Sequence, residues 1–186
     1  MNYRKEMLRT LSPKGDLYEH ALYGLVTEAA EALDTLKKVK FYGKEFDKVH
    51  ALEELGDIRW YLELVAYHMK FVYNNDMTHD GYITYEDNIK KISMISSMML
   101  QGEVRPSKYY IDSMYSLLFC AADDIGYNIK DVERANIAKL KKRYPEKWTQ
   151  EKAEVRDLQT ERKVLEDNLT MFAQTLQKGT PWGSVS

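Results

Sequence analysis

Glu28-Ala-Ala-Glu31 and Glu54-Leu-Gly-Asp57 stand in the two long apolar stretches that decide the fold. Each pair sets two carboxylates three residues apart within a helical pattern, so both acids of a pair lie on one helix face. Side chains at this spacing have Cβ atoms about 5–6 Å apart, where like charges repel. Twenty-two residues separate the pairs. We expect a cation to compensate these charges, and hard divalent ions suit oxygen ligands best.

Composition narrows the class of protein. The chain has 186 residues, enough for one compact domain with or without an appendage. Lys+Arg 27 against Asp+Glu 29 gives a net charge of −2, which favours neither a nucleic-acid nor an anionic-membrane partner. Cys120 is the only cysteine, so an intramolecular disulfide and a cysteine metal cluster are excluded. No uncharged apolar stretch of eighteen residues occurs. We expect a cytoplasmic protein that does not span a membrane.

Apolar residues recur at steps of three and four, and glycine and proline are scarce, which predicts an all-α fold. The expected architecture is an antiparallel helical bundle with a four-helix core. Gly43 should end the first long helix, and Gly56 inside the second costs about 1 kcal/mol relative to alanine. Close approach of a neighbouring helix or ligand would explain that glycine. The predicted helices span about 16–42, 46–73, 86–100, 107–124, 132–143 and 150–177.

Three parts of the chain are predicted. Residues 1–148 form the bundle, with an insertion at about 76–104 that begins in a turn-rich loop or two-stranded flap around Asp80-Gly81. Residues 149–178 form a C-terminal helix, and residues 179–186 a flexible tail. That helix carries a heptad-like pattern, which suits packing on the bundle and self-association by a coiled coil equally. Its apolar positions are Val155, Leu158, Leu165, Leu169, Phe172 and Leu176.

Antiparallel packing of the two long helices would bring Glu28, Glu31, Glu54 and Asp57 to one cleft. Such oxygen-only ligands select Mg²⁺, with Mn²⁺ as a substitute, over zinc or copper. A di-iron centre would need a Glu-x-x-His step on each of two helices, which neither pair has. The nearby Asp47-Lys-Val-His50 is interpreted as a surface Asp–His contact, and Glu53 as a group that flanks the site.

Three ordered blocks carry a resemblance to a known family. They are Gly24-Leu-Val-Thr-Glu-Ala-Ala-Glu-Ala-Leu, Leu52-Glu-Glu-Leu-Gly-Asp-Ile and Asn136-Ile-Ala-Lys-Leu-Lys-Lys-Arg-Tyr-Pro-Glu-Lys-Trp. Together they resemble the MazG-like, all-α nucleoside triphosphate pyrophosphohydrolases of bacterial and phage type. The resemblance covers about residues 16–75 and 106–165. It implies Mg²⁺-dependent cleavage between the α- and β-phosphates, in a bacterial or phage-infected cytosol, by a homo-oligomer such as a dimer or tetramer.

The resemblance also implies roles for residues. The acids that match the family pattern are Glu28, Glu31, Glu54 and Asp57, as metal ligands. Since coordination lowers the pKa of metal-bound water, Glu28 or Glu31 could also accept its proton as the general base. Thr27 stands where the family usually has a further glutamate, which removes an accessory acid.

A basic helix face carries the third block. Asn136, Lys139 and Arg143 are spaced i, i+3 and i+7, so they share one face that could hold substrate phosphates. A basic helix end that complements its own dipole is the plainer interpretation. The family match at Asn136 and Lys139 favours phosphate binding.

Base recognition is less well marked. Trp60 and Tyr61 lie one turn beyond Asp57 and could stack on a nucleobase, although aromatic residues at this spacing are more often core. Specificity for dUTP or dCTP, or for a guanosine alarmone, stays open. The non-enzymatic alternative is a helical interaction module whose acids keep the surface solvated.

Overall fold

The computed structural model describes residues 2–12, 17–72, 84–146, 148–155 and 157–178. They contain helices and no strand, which confirms the all-α class. None of these helices combines the length and the apolar character needed to cross a membrane. The helices are α1 (Tyr3–Leu8), α2 (Leu17–Tyr42), α3 (Lys48–His68), α4 (Tyr85–Leu100), α5 (Lys108–Asp124), α6 (Ile129–Arg143), α7 (Gln150–Glu154) and α8 (Leu158–Lys178).

Local capping sets the ends of the two long helices. Gly43 follows α2 with φ of +63°, as the sequence predicts for a helix terminator. Asp47 caps α3, because its carboxylate accepts a hydrogen bond from the backbone amide of His50 at 3.1 Å. The predicted end of this helix near residue 73 is wrong, since α3 stops at His68. Lys70 takes φ of +59° and terminates the helix.

Four helices surround the core. α2 packs against α3 and α4, and α5 closes the arrangement by packing on α4 and α3. The five-residue connection between α2 and α3 suits antiparallel neighbours. α4 belongs to this core, with Ile89 and Ile92 completely buried. The second half of the predicted insertion is therefore a core helix. The predicted flap at 80–81, the predicted start of the first long helix at residue 16 and the tail at 179–186 lie outside the described residues.

Three further helices cover one side of the bundle. α6 packs on α3 and α5, α8 packs on α6, and the short α1, which the sequence pattern does not reveal, touches α3 and α6. The predicted single C-terminal helix is wrong, because α7 ends at Glu154 and a separate helix, α8, begins at Leu158. Leu165 and Leu169 are buried, whereas Val155 and Leu158 are 76% and 60% exposed. Leu165 and Leu169 therefore pack against other helices of the same chain. The side chains at 172 and 176 are not among the described ones.

Candidate metal and substrate site

A cavity of about 630 Å³ opens where α2, α3 and α6 meet the C-terminal helices. Its size is in the range of small-molecule sites. We call it the acidic cavity, because five carboxylates line it. They come from Glu28, Glu31, Glu53, Glu54 and Asp57.

Packing of α2 on α3 brings three of the four predicted ligands together. One carboxylate oxygen from each of Glu28, Glu54 and Asp57 lies within 4.8 Å of the other two. Glu31 lines the same cavity, but it is exposed and is not part of this cluster. Thr27 is exposed as well, and its hydroxyl donates to the carbonyl of Gly24 at 3.0 Å. We call Glu28, Glu54 and Asp57 the carboxylate cluster.

The carboxylate cluster is electrostatically unfavourable as it stands. Glu54 is 3% exposed, and its Oε2 has no hydrogen-bond partner among the described residues. Burial, together with the charges of Asp57 and Glu28, raises the pKa of Glu54 to about 9. Burial and the same carboxylate of Asp57 raise the pKa of Glu28 to about 7. A proton or a cation can compensate buried carboxylates in this state, and an oxygen-only donor set fits Mg²⁺ or Mn²⁺.

The third member, Asp57, already has protein partners. Asn136 donates from Nδ2 to Oδ1 of Asp57 at 2.7 Å, and Lys139 donates from Nζ to Oδ2 at 2.5 Å. Lys139 is completely buried and also reaches Oε1 of Glu53 at 3.1 Å. Burial opposes its charge, but Asp57 and Glu53 outweigh that effect and raise the pKa of Lys139. Neither Asn136 nor Lys139 lines the cavity, and their contact with phosphate stays a prediction.

Asn136 is held in place by the close approach of α6 to α3 and by the N-terminal helix α1. A Cβ at Gly56 would lie 2.9 Å from Cβ of Asn136, so α6 sits against α3 only because residue 56 has no side chain. This confirms the close approach that the sequence suggests for Gly56. The hydroxyl of Tyr3 donates to Oδ1 of Asn136 at 3.1 Å, which directs the amide nitrogen toward Asp57.

Arg143 is the predicted phosphate-binding residue that does line the cavity. Its Nε donates to Oε1 of Glu161 at 2.7 Å, and its Nη2 donates to Oε2 of the same residue. The pair is bidentate, so α8 fixes the plane of the guanidinium. Arg162, also at the cavity wall, donates to Asp47 at 2.8 Å and ties α8 to the start of α3. Sequence reasoning missed Glu161, because nothing local links it to Arg143.

Aromatic side chains form another wall. Trp60 is 8% exposed, and its Nε1 donates to the hydroxyl of Thr10 at 3.1 Å, so it is mostly core. Tyr61 is half-buried, with its ring edge-on to Trp60 at 4.9 Å. A Cβ at Gly24 would lie 2.2 Å from the Tyr61 ring. The ring therefore occupies the space that a side chain at residue 24 would need. Both residues line the cavity, as do Tyr144 and Trp148, which sequence reasoning missed. Base stacking stays a prediction.

His50 corrects the interpretation of Asp47-Lys-Val-His50 as a side-chain contact. Only the backbone amide of His50 meets Asp47, in the helix cap. The imidazole points the other way along α3, with Nδ1 at 3.1 Å from Oε1 of Glu54. His50 therefore belongs to the acidic cavity. Its i, i+4 spacing to Glu54 was the available signal in the sequence.

Comparison of the chain with protein-family models, with curated proteins and with solved structures gave no match. The resemblance carried by the three sequence blocks therefore stays a prediction. What the cavity can do follows from its own side chains: buried carboxylates that could hold a cation, an arginine at the wall, and an aromatic surface in a space large enough for a small molecule.

Proposed function

We propose that the chain is a Mg²⁺-dependent nucleoside triphosphate pyrophosphohydrolase, which cleaves between the α- and β-phosphates and releases a monophosphate and pyrophosphate. The observation that carries the proposal is the convergence of Glu28, Glu54 and Asp57 on one cavity that Arg143 also lines. Opposite charges at one site suit a polyanion that is bound together with cations.

Each group at the site has a task in this reaction. Glu28, Glu54 and Asp57 would hold Mg²⁺, which when bound neutralises phosphate charge and makes water a better nucleophile. Glu31 is exposed at the cavity and can accept the proton of the attacking water, as Glu28 can. Arg143 has five N–H donors, of which Glu161 takes two, so it can still donate to the leaving pyrophosphate.

Base and sugar would meet the aromatic part of the cavity. Tyr61 and Trp148 are only partly buried, so each can offer apolar surface to a ring. The proposal leaves pyrimidine deoxynucleotides and a guanosine alarmone as specialised substrates of the same chemistry. It includes a cytoplasmic location, where such nucleotides occur, and a dimer or tetramer. Phe41 and Tyr42, 71% and 64% exposed at the end of α2, offer apolar surface for such an assembly.

The test is pyrophosphate release from a panel of ribo- and deoxynucleoside triphosphates and a guanosine alarmone, with Mg²⁺ and with chelator. Products separated by ion exchange distinguish pyrophosphate from the orthophosphate of a simple phosphatase. We expect Asp57→Asn to lower the rate at least about 100-fold. Loss of a group that only orients a metal ligand costs about 10- to 100-fold in activity, and loss of the ligand itself should cost at least as much. Asp34→Asn is the matched control, since Asp34 pairs with Lys37 and Lys38 outside the cavity. The proposal is wrong if no nucleotide yields pyrophosphate with Mg²⁺ or Mn²⁺, or if Asp57→Asn remains active.

A further inference from the structure

His50, Glu53 and Glu54 form a second cluster beside the carboxylate cluster. They are spaced i, i+3 and i+4 on α3, so they share one face of the helix. A ring nitrogen of His50 and one oxygen from each glutamate all lie within 4.8 Å of one another. His50 is 30% exposed, which leaves its ring reachable from the cavity that it lines.

The spacing within this second cluster suits shared coordination. Two adjacent ligands of an octahedral ion with bonds of about 2.1 Å lie about 3.0 Å apart. Nδ1 of His50 and Oε1 of Glu54 are 3.1 Å apart. An ion could therefore enter between them with little movement. Lys139 donates a hydrogen bond to Oε1 of Glu53 and so helps to fix that carboxylate.

Glu54 is shared between the second cluster and the carboxylate cluster. While Oε1 faces His50, its Oε2 is buried and has no hydrogen-bond partner among the described residues, in a side chain that is 97% buried. A carboxylate in this position can bridge, giving one oxygen to each of two neighbouring cations, as in two-metal phosphoryl sites.

We propose that His50, Glu53 and Glu54 form a second cation position that binds a divalent transition metal ion through the imidazole nitrogen. This inference rests on the proposed function only for the neighbouring Mg²⁺ position, because the two positions share Glu54. Imidazole is a ligand for first-row transition metals, whereas Mg²⁺ keeps to oxygen donors and water. The two positions thus differ in the ions they prefer.

Mn²⁺ is the probe, because coupling of its electron spin to a ligand ¹⁴N nucleus is directly visible in pulsed electron paramagnetic resonance. We expect this coupling in the full chain with Mn²⁺ and no nucleotide, and its loss in His50→Gln. Glutamine keeps a donor for Glu54 but offers no imidazole nitrogen. His20→Gln is the matched control, since His20 lines the same cavity against Tyr61 and is not in the cluster.

Titration calorimetry gives the second readout. His50→Gln should lower the affinity for Mn²⁺ at one position at least about 10-fold, which is the usual effect of removing a group from a metal site. The affinity for Mg²⁺ should change less than about twofold. Unchanged ¹⁴N coupling in the variant, or its absence from the parent, would overturn the inference. So would equal loss of Mn²⁺ and Mg²⁺ affinity, which would mean that His50 only orients Glu54. A chain that binds Mn²⁺ through His50 but releases no pyrophosphate would keep this inference and refute the proposed function.

Discussion

Replacing Glu54 by glutamine should stabilise the metal-free protein while it removes metal binding. The carboxyl group is 3% exposed beside Glu28 and Asp57, and its pKa is raised to about 9 from an ordinary value of 4.5. At pH 7 the folded protein must therefore protonate a group that is ionised in the unfolded chain. The pH lies 2.5 units above the unfolded pKa, which corresponds to a cost of about 3 kcal/mol. Glutamine is neutral at every pH, so its burial does not require protonation and this free-energy cost is absent.

The dependence on pH has a definite sign. Because the pKa of Glu54 is higher in the folded state, the folded protein binds more protons than the unfolded chain between about pH 4.5 and pH 9. Stability of the metal-free protein should then fall as pH rises through this window, by up to about 1.4 kcal/mol per pH unit from this group. Glu28, with its pKa raised to about 7, adds a fall in the same direction at lower pH.

Urea denaturation with chelator at pH 5, 7 and 8.5 measures these effects. Glu54→Gln should gain up to about 3 kcal/mol at pH 7 and show a flatter dependence on pH than the parent. Glu31→Gln is the matched control, because Glu31 is exposed at the same cavity; it should stay within about 0.5 kcal/mol.

Mg²⁺ should remove most of this difference in stability. At 100 times its dissociation constant, the ion should stabilise the parent by about 2.7 kcal/mol and leave Glu54→Gln nearly unchanged. A Glu54→Gln protein that is less stable than the parent in chelator at pH 7 would refute the reasoning. Equal stabilisation of both proteins by Mg²⁺ would refute the assignment of Glu54 as a ligand.

Three other substitutions test the packing around the site. Tyr3→Phe should weaken Mg²⁺ binding several-fold in calorimetry, because Asn136 loses the hydroxyl that directs its amide to Asp57; unchanged affinity would contradict this. Gly24→Ala should displace the Tyr61 ring and, at a cost of about 1–3 kcal/mol, lower the midpoint of urea denaturation, whereas an unaltered midpoint would mean that the ring moves freely. Leu169→Ala should cost about 2–5 kcal/mol in the same assay, and a negligible loss would mean that α8 is not part of the core.

Local patterns were enough to predict the carboxylate cluster. Helical periodicity places Glu28 on one face of α2, and Glu54 and Asp57 on one face of α3, and the short connection between the helices makes them neighbours. Glu31 was grouped with them by the same rule. The rule gives the face of a helix but not the depth of a residue on it, and Glu31 lies toward the exposed edge.

The remaining partners could not be predicted, since they depend on contacts between distant segments. Glu161 meets Arg143 only because α8 folds back on α6, and Tyr3 meets Asn136 across 133 residues of chain. Charge patterns along one helix carry no information about such pairs. His50 is a different case, because its spacing to Glu54 was visible and only the nearer Asp47 obscured it.

Under the proposed function, the distribution of charge would couple nucleotide binding to metal binding. Five carboxylates and two arginines, Arg143 and Arg162, line the acidic cavity. Lys139 is buried in contact with Asp57 and Glu53, and Glu161 already neutralises much of the charge of Arg143. A triphosphate brings several more negative charges, and repulsion would keep it out of such a cavity on its own. In the proposed reaction, divalent cations would therefore enter before the nucleotide or with it. Lys139 holds Asp57 and Glu53 in place for the metal, and the metal would in turn attract the phosphates.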